Sequence, residues 1–170
     1  MKLTYGFKLA DIVIVIEKNF HHYGHSGYRV TIKGTGDLIF KTIGSKPFVY
    51  RTSIAPRLAF KLFVYAVEAG FFEMKKEYHH MEITVFGDGE IYEIQPIYDY
   101  KPGPSQNTVI KISTGKNTKR VCNHENYNKR FLALEKHMLK ESGIEKMFPL
   151  DLYNEDGTIR KIIIPDENGR

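Results

Sequence analysis

The stretch "YRVTIKGTGDLIFKTI", residues 28–43, decides the fold class. Two runs rich in β-branched and aromatic residues flank a four-residue turn, "GTGD", at residues 34–37. A period of two between apolar side chains predicts strands, and glycine supplies the positive φ that a tight turn needs. The stretch therefore predicts a β-hairpin.

The same pattern recurs along the chain. "MEITVFGDGEIYEI" turns at residues 87–89, and "TVIKISTGKNTKRVCN" turns at residues 114–117. A weaker copy, "LYNEDGTIRKIII", ends at residue 164. Successive hairpins predict an antiparallel sheet, because a tight turn can join only strands that run in opposite directions.

The first predicted helix is "SIAPRLAFKLFVYAVEAG", residues 53–70. Ser53 can cap it, Pro56 is tolerated in the first turn, and Gly70 can end it. At about 100° per residue, its charged side chains share one narrow stripe on a largely apolar cylinder: Arg57, Lys61 and Glu68. This pattern predicts a helix sunk into the sheet, with one line of contact to water.

The second predicted helix is "NYNKRFLALEKHMLKESG", residues 126–143. Asn126 or Asn128 can cap it and Gly143 can close it. Its apolar and basic residues separate onto opposite faces, which is typical of an amphipathic helix lying on a sheet. Glu135 falls within the apolar arc and requires a partner.

The whole chain has 170 residues, a formal net charge of +5 and a pI of about 9.1. We expect one α+β domain over residues 1–170, with a core at about 11–148 and a C-terminal extension at 149–170. The fold class is an antiparallel meander-type sheet of about six to eight strands, built from successive hairpins, with two helices packed on one face. In the extension, "KIII" at residues 161–164 predicts an edge strand that could pair with a second copy.

The length of the apolar runs and the number of cysteines limit the possible localisation and redox chemistry of the protein. No apolar run approaches the roughly 20 residues that a bilayer span requires. The N-terminal apolar run reads as a first strand and not as a signal peptide, so we expect a cytoplasmic protein without membrane association. The single Cys122 excludes an internal disulfide and a zinc site with several cysteines.

From Ile12 to about Glu141, the order of elements resembles a family of bacterial domains of unknown function, domain of unknown function 6438. The hairpin "GYRVTIKGTGDLIF", the helix exit "EAGFFEMKKEY" and the last helix "FLALEKHM" carry the resemblance. The Cys-Pro pair of the family's Gly-x-Cys-Pro-x-Tyr element is absent, with His25-Ser26 near its place, and residues of about 79–104 look inserted. The resemblance implies the fold and carries over no catalytic residue, since the family's function is unassigned.

Histidines form the first candidate site. Three flank a glycine-punctuated turn and three lie elsewhere, and together they could supply a polar or metal-binding cluster: His21, His22, His25, His79, His80 and His124. Zinc requires three or four such ligands. Since Gly24 and Gly27 oppose a helix here, solvent-facing histidines in a connecting loop are the favoured interpretation. We therefore assign no cofactor, and a hydrolase or metal-dependent enzyme that uses the His21–His25 loop, with zinc or another divalent metal, is an alternative.

Two further patterns remain. Cys122 and His124 are two residues apart, so an extended strand would place both on one face.

A basic hairpin and the following helix predict a face for nucleic acid or another acidic partner: Lys116, Lys119, Arg120, Lys129, Arg130, Lys136 and Lys140. No pattern supplies nucleophile, base and oxyanion donors together. The leading hypothesis is a non-enzymatic binding or interaction module that self-associates, and nucleic-acid binding is a further alternative.

Overall fold

The computed structural model describes residues 6–20, 26–44, 47–78, 81–87, 92–98, 106–124 and 128–148. The strands of these segments are β1 Ile12–Phe20, β2 Ser26–Lys33, β3 Asp37–Ile43, β4 Val49–Ser53, β5 Glu77–Tyr78, β6 Met81–Gly87, β7 Tyr92–Tyr98, β8 Gln106–Thr114 and β9 Asn117–His124. The helices are α1 Pro56–Glu68, α2 Lys129–Glu141 and the short α3 Ile144–Met147. None of these helices is long and apolar enough to cross a bilayer.

One sheet organises the molecule. Its strand order is β4-β3-β2-β1-β8-β9-β5, and the first six strands are antiparallel. The chain meanders from β1 to β4, passes through α1, and later adds β8 and β9 on the other side of β1. The predicted fold class is confirmed, and the two-residue strand β5 adds a parallel pairing with β9. β6 and β7 form the hairpin predicted around residues 87–89, as a separate two-stranded sheet.

The core lies between the sheet and the helices. Alternate residues of β1, namely Ile12, Ile14 and Ile16, are fully buried, as the period of two predicts. Their cross-strand neighbours continue the apolar surface on both sides: Val30, Ile32, Leu38, Phe40, Ile110, Ile112 and Val121. Buried side chains of α1, α2 and α3 join the same cluster. Each fully buried aliphatic side chain contributes roughly 1.5–3 kcal/mol, so this layer is the main source of stability.

Helix α1 ends where the sequence predicts, but its N-cap residue differs from the prediction. Pro56 occupies the first turn, and Gly70 adopts the left-handed conformation (φ 68°) that ends the helix, as expected. The predicted cap Ser53 is wrong, because Ser53 is the last residue of β4 and pairs with Asp37. The N-cap is Ala55, which offers no side-chain acceptor.

The predicted burial of α1 is also wrong in part. Ala59, Leu62 and Ala66 face the core, but Phe60 is 47% and Val67 48% exposed. The helix contacts the sheet along one side only, so its second apolar side faces outward.

Helix α2 follows the predicted amphipathic pattern. The Asn128 side chain accepts a hydrogen bond from the backbone N–H of Phe131 at 2.9 Å, which satisfies one unpaired donor of the first turn. Gly143 adopts the left-handed conformation (φ 76°) beyond the helix end. Glu135, buried in the apolar arc, pairs with the Lys18 ammonium of β1 at 3.0 Å. Lys18 is therefore the partner that the sequence could not identify.

Candidate binding surface on the open sheet face

The side of the sheet opposite the helices carries the polar side chains of the strands. We call it the open sheet face. Strand register aligns the side chains of this face in rows that cross the sheet from β4 to β9. One row is Arg51, Ile39, Thr31, Val15, Lys111 and Arg120. The neighbouring row is Val49, Lys41, Arg29, Glu17, Val109 and Cys122. The cations at the margins are exposed and the central aliphatic residues are half-buried. The long basic side chains can lie along this aliphatic floor while their charges reach water.

Positive charge dominates the open sheet face. Among the described residues, its six cationic side chains are Arg29, Lys33, Lys41, Arg51, Lys111 and Arg120, and its three acidic side chains are Glu17, Asp37 and Glu77. Two cross-strand pairs bring cations directly opposite each other: Arg29 with Lys41, and Lys111 with Arg120. Like charges in that position destabilise a sheet. Glu17 forms an ion pair with Arg29, so the pair that an anion would relieve is Lys111 with Arg120.

A hydrogen-bonded network crosses the middle of the open sheet face. The Arg29 Nε–H donates to Glu17 Oε2 at 2.7 Å, and a second guanidinium nitrogen contacts the same oxygen. The Asn19 amide donates to Glu17 Oε1 at 3.1 Å and to Asn107 Oδ1 at 3.2 Å. The network fixes side chains from three adjacent strands, so this part of the surface is pre-organised.

The pKa of Glu17 is lowered by the same hydrogen bonds and by neighbouring charges. Partial burial acts to raise the pKa of Glu17, but hydrogen bonds from Asn19 and Arg29 and the charges of Arg29 and Arg120 outweigh it. The pKa of Glu17 therefore lies below its ordinary value, and the carboxylate stays ionised at neutral pH. Glu17 neutralises Arg29, while the cations at the margins remain available to a ligand.

Cys122 and His124 meet at the β9 edge of this face. Their Sγ and Nε2 atoms are 3.3 Å apart, as the two-residue spacing on a strand predicts. Cys122 is only 3% exposed. Burial raises the pKa of the thiol, and the nearby Glu77 charge raises it further, against an opposing effect of Arg120. The contact therefore joins a protonated thiol to an imidazole at neutral pH and does not favour a reactive thiolate.

The predicted histidine cluster is described only at His124. His21, His22, His25, His79 and His80 lie outside the described residues. Among the residues that the structure does describe, no group of three or more His, Cys, Asp or Glu side chains is placed to hold a metal ion. The metal site and the hydrolase using the loop 21–25 stay predictions.

The structure does not bring the predicted basic residues onto one surface. Arg120 points to the open sheet face, whereas Lys119 points to the helix side and donates to the Met74 carbonyl at 2.7 Å. Lys116 is exposed in the β8–β9 turn. The remaining basic residues are exposed on α2, on the helix side of the sheet: Lys129, Arg130, Lys136 and Lys140. Successive strand residues face opposite ways, so Lys119 and Arg120 cannot share a surface.

Five of the six cations on the open sheet face were missed by the sequence analysis: Arg29, Lys33, Lys41, Arg51 and Lys111. The sequence signal for them is the alternation of polar and apolar residues within a strand. In residues 29–33, "RVTIK", the polar side chains are Arg29, Thr31 and Lys33. The pairing of β8 with β1, which brings Lys111 beside this group, leaves no local signal because the strands are far apart in sequence.

The chain matches no protein-family model, and it matches none of the curated proteins. The chemistry of the open sheet face therefore carries the functional argument.

Proposed function

We propose that this chain is a non-enzymatic binding module whose open sheet face binds the phosphate backbone of nucleic acid. The observation that carries the proposal is the excess of six cations over three acidic groups among the described residues of one sheet face, including the directly opposed Lys111 and Arg120. Phosphates are the ligand that relieves this repulsion, since each one can lie between two cations.

The dimensions of the face suit a segment of a strand. Six antiparallel strands span about 24 Å at roughly 4.8 Å per neighbour. That width corresponds to about seven nucleotides at roughly 3.4 Å per phosphate. The floor between the cations is aliphatic, formed by Val13, Val15, Ile39 and Val109. A floor of this kind offers little stacking to bases, so we expect binding that depends weakly on sequence.

The non-enzymatic part of the proposal is supported by the state of Cys122. A nucleophilic cysteine needs an accessible thiol with a lowered pKa. Cys122 is buried and the pKa of its thiol is raised.

The test is a titration of labelled single-stranded DNA, RNA and duplex DNA at two salt concentrations. We expect the logarithm of affinity to fall with the logarithm of salt, with a slope of about −0.7 per phosphate contacted on single strands. The variant Lys111→Gln/Arg120→Gln should bind about tenfold or more weakly and show a slope shallower by about 1.

The matched control is Lys136→Gln/Lys140→Gln, which removes the same charge from α2 on the other side of the sheet. Its affinity should equal that of the unmodified chain. Binding that ignores salt, or that is weakened by the α2 variant alone, would overturn the proposed surface. Equal competition by polyglutamate of matched charge would overturn nucleic acid as the ligand.

A further inference from the structure

Exposed apolar side chains of the described segments concentrate at one place on the helix side. Among the residues that the structure describes, six large hydrophobic side chains are exposed, and five of them lie on α1 or beside it: Phe7, Leu9, Phe60, Val67 and Phe72. The rings of Phe7 and Phe72 pack against Phe63 with centroids 5.1 and 5.8 Å away. The sixth, Val49, lies on the opposite side of the sheet. A concentration of this kind on a surface indicates an interaction site.

The patch is organised by α1 itself. Phe60, Phe63, Val64 and Val67 recur at the helical spacing of three, four and seven residues, on the side turned away from Ala59, Leu62 and Ala66. We call this second stripe, with Phe7 and Phe72 beside it, the α1 outer face. An α-helix that is apolar on two sides has two surfaces to bury, and the sheet covers one of them.

Charges flank the stripe in an unusual order. Arg57 lies in the first turn and Lys61 in the next, whereas Glu68 ends the helix. Arg57 and Lys61 line one shallow depression with Phe7, Leu9 and Phe60. Cations near the N-terminus and an anion at the C-terminus both oppose the helix dipole. Within a single chain, this order costs stability.

We propose that the α1 outer face binds the same face of a second copy, with the two helices antiparallel about a two-fold axis. In that arrangement the basic first half of one α1 lies beside the acidic end of the other, so Lys61 faces Glu68 twice. The apolar stripe is then buried against itself, as an isologous interface requires. The same charges that oppose the dipole within one chain become complementary between two chains.

The size of the patch suits a reversible dimer. Three phenylalanines, one leucine and one valine at the exposures observed present roughly 400 Å² of apolar surface. A standard interface buries about 800 Å² per partner, so the patch would form the centre of a modest interface with a polar rim. This inference is independent of the proposed nucleic-acid function, because it concerns the other side of the molecule.

The experiment measures the mass of the full chain by light scattering and sedimentation over a thousandfold range of concentration, without nucleic acid. We expect the mass to rise from that of one 19.7 kDa chain towards twice that value. Val67→Lys should raise the concentration at half-dimerisation by at least about tenfold. Val49→Lys is the matched control, since Val49 is 45% exposed against 48% for Val67 and lies outside the patch.

A charge exchange tests the antiparallel arrangement. Lys61→Glu and Glu68→Lys should each weaken the dimer, because each places like charges together twice. The double variant should restore dimerisation to within about threefold of the unmodified chain. Lys61 and Glu68 are both exposed, so neither substitution removes a contact in the core, and circular dichroism of each variant should match that of the unmodified chain. A monomer at every concentration, equal effects of the two valine variants, or no recovery in the double variant would overturn the proposal.

Discussion

Cys122 shows, at the scale of the residue, how burial changes the chemistry of a side chain. Strand alternation brings its Sγ to 3.3 Å from the His124 ring, which is the geometry of an activated thiol. Burial, however, raises the pKa of the thiol. Because the folded-state pKa lies above the unfolded value, the protonated thiol contributes to stability below the unfolded pKa, and that contribution is lost as the pH rises towards the folded pKa.

The first prediction concerns alkylation of this thiol. In the folded chain at pH 8, iodoacetamide should modify Cys122 at least about tenfold more slowly than in the urea-unfolded chain, because the thiolate is both scarcer and shielded. Mass spectrometry of the intact chain gives the rate directly, since there is one cysteine. A fast reaction that stays constant from pH 6 to pH 8 would instead indicate a thiolate–imidazolium pair and would contradict the protonated thiol.

The two glycines of the first hairpin turn, Gly34 and Gly36, are required for different reasons, and only one of these could be predicted from the sequence. The motif "GTGD" predicted glycines with positive φ, and Gly36 has φ 96°. Gly34 is required for a different reason, since a Cβ there would overlap the backbone carbonyl oxygen of Leu9. The turn could be predicted from local residues, whereas this close approach depends on where a distant segment lies.

At the scale of the element, the pair of Lys18 and Glu135 joins the first strand to the last long helix. Glu135 is 2% exposed and Lys18 16%, and their side chains are 117 residues apart in sequence. The second carboxylate oxygen of Glu135 has no hydrogen-bond partner within the described segments. A buried ion pair with incomplete hydrogen bonding adds little net stability, but loss of one partner is costly.

The second prediction compares a single and a double variant of this pair. Lys18→Met should lower the free energy of unfolding by about 3 kcal/mol, because it leaves the Glu135 carboxylate buried without a cation. Lys18→Met/Glu135→Leu should recover most of that loss, since an apolar pair suits the surrounding core. Urea denaturation followed by circular dichroism measures both. If Lys18→Met costs less than about 1 kcal/mol, the carboxylate is not confined as the contact implies.

The positions of the two long helices could be predicted from the sequence, whereas the N-cap and the exposure of α1 could not. Apolar periodicity, Pro56, Asn128 and the two closing glycines placed α1 and α2 from local residues alone. The cap of α1 was missed because Ser53 is held in the sheet by Asp37, a pairing that overrides its capping preference. The exposure of Phe60 and Val67 was missed because periodicity indicates which side chains share a face and does not indicate how many faces are covered.

At the scale of the whole molecule, the two proposed surfaces point in opposite directions. The open sheet face lies on one side of the sheet, and α1 lies on the other with its outer face turned away from the sheet. The hairpins, and with them an antiparallel sheet, could be predicted from the sequence, whereas the order of the strands could not. The composition of each surface could not, because it depends on the pairing of β1 with β8 and on the register of every strand.

The third prediction follows from combining the two surfaces. A dimer formed through α1 would carry two open sheet faces on its outer sides, so a short strand could reach one of them and a long flexible strand could reach both. We therefore expect Val67→Lys to leave the affinity for an oligonucleotide of about seven residues unchanged and to lower the affinity for one several times longer by at least about tenfold. Fluorescence anisotropy with both lengths at one salt concentration measures this difference.

The matched variant for that experiment is Val49→Lys, which adds a cation to the open sheet face and leaves α1 intact. It should strengthen binding to both lengths, and more for the long strand, because a strand that spans the dimer meets the added cation on each of two faces. A loss of affinity in Val67→Lys that is equal for short and long strands would place Val67 in the nucleic-acid surface itself. Because the open sheet face and the α1 outer face lie on opposite sides of the sheet, the length dependence separates the two roles in a way that a single affinity cannot.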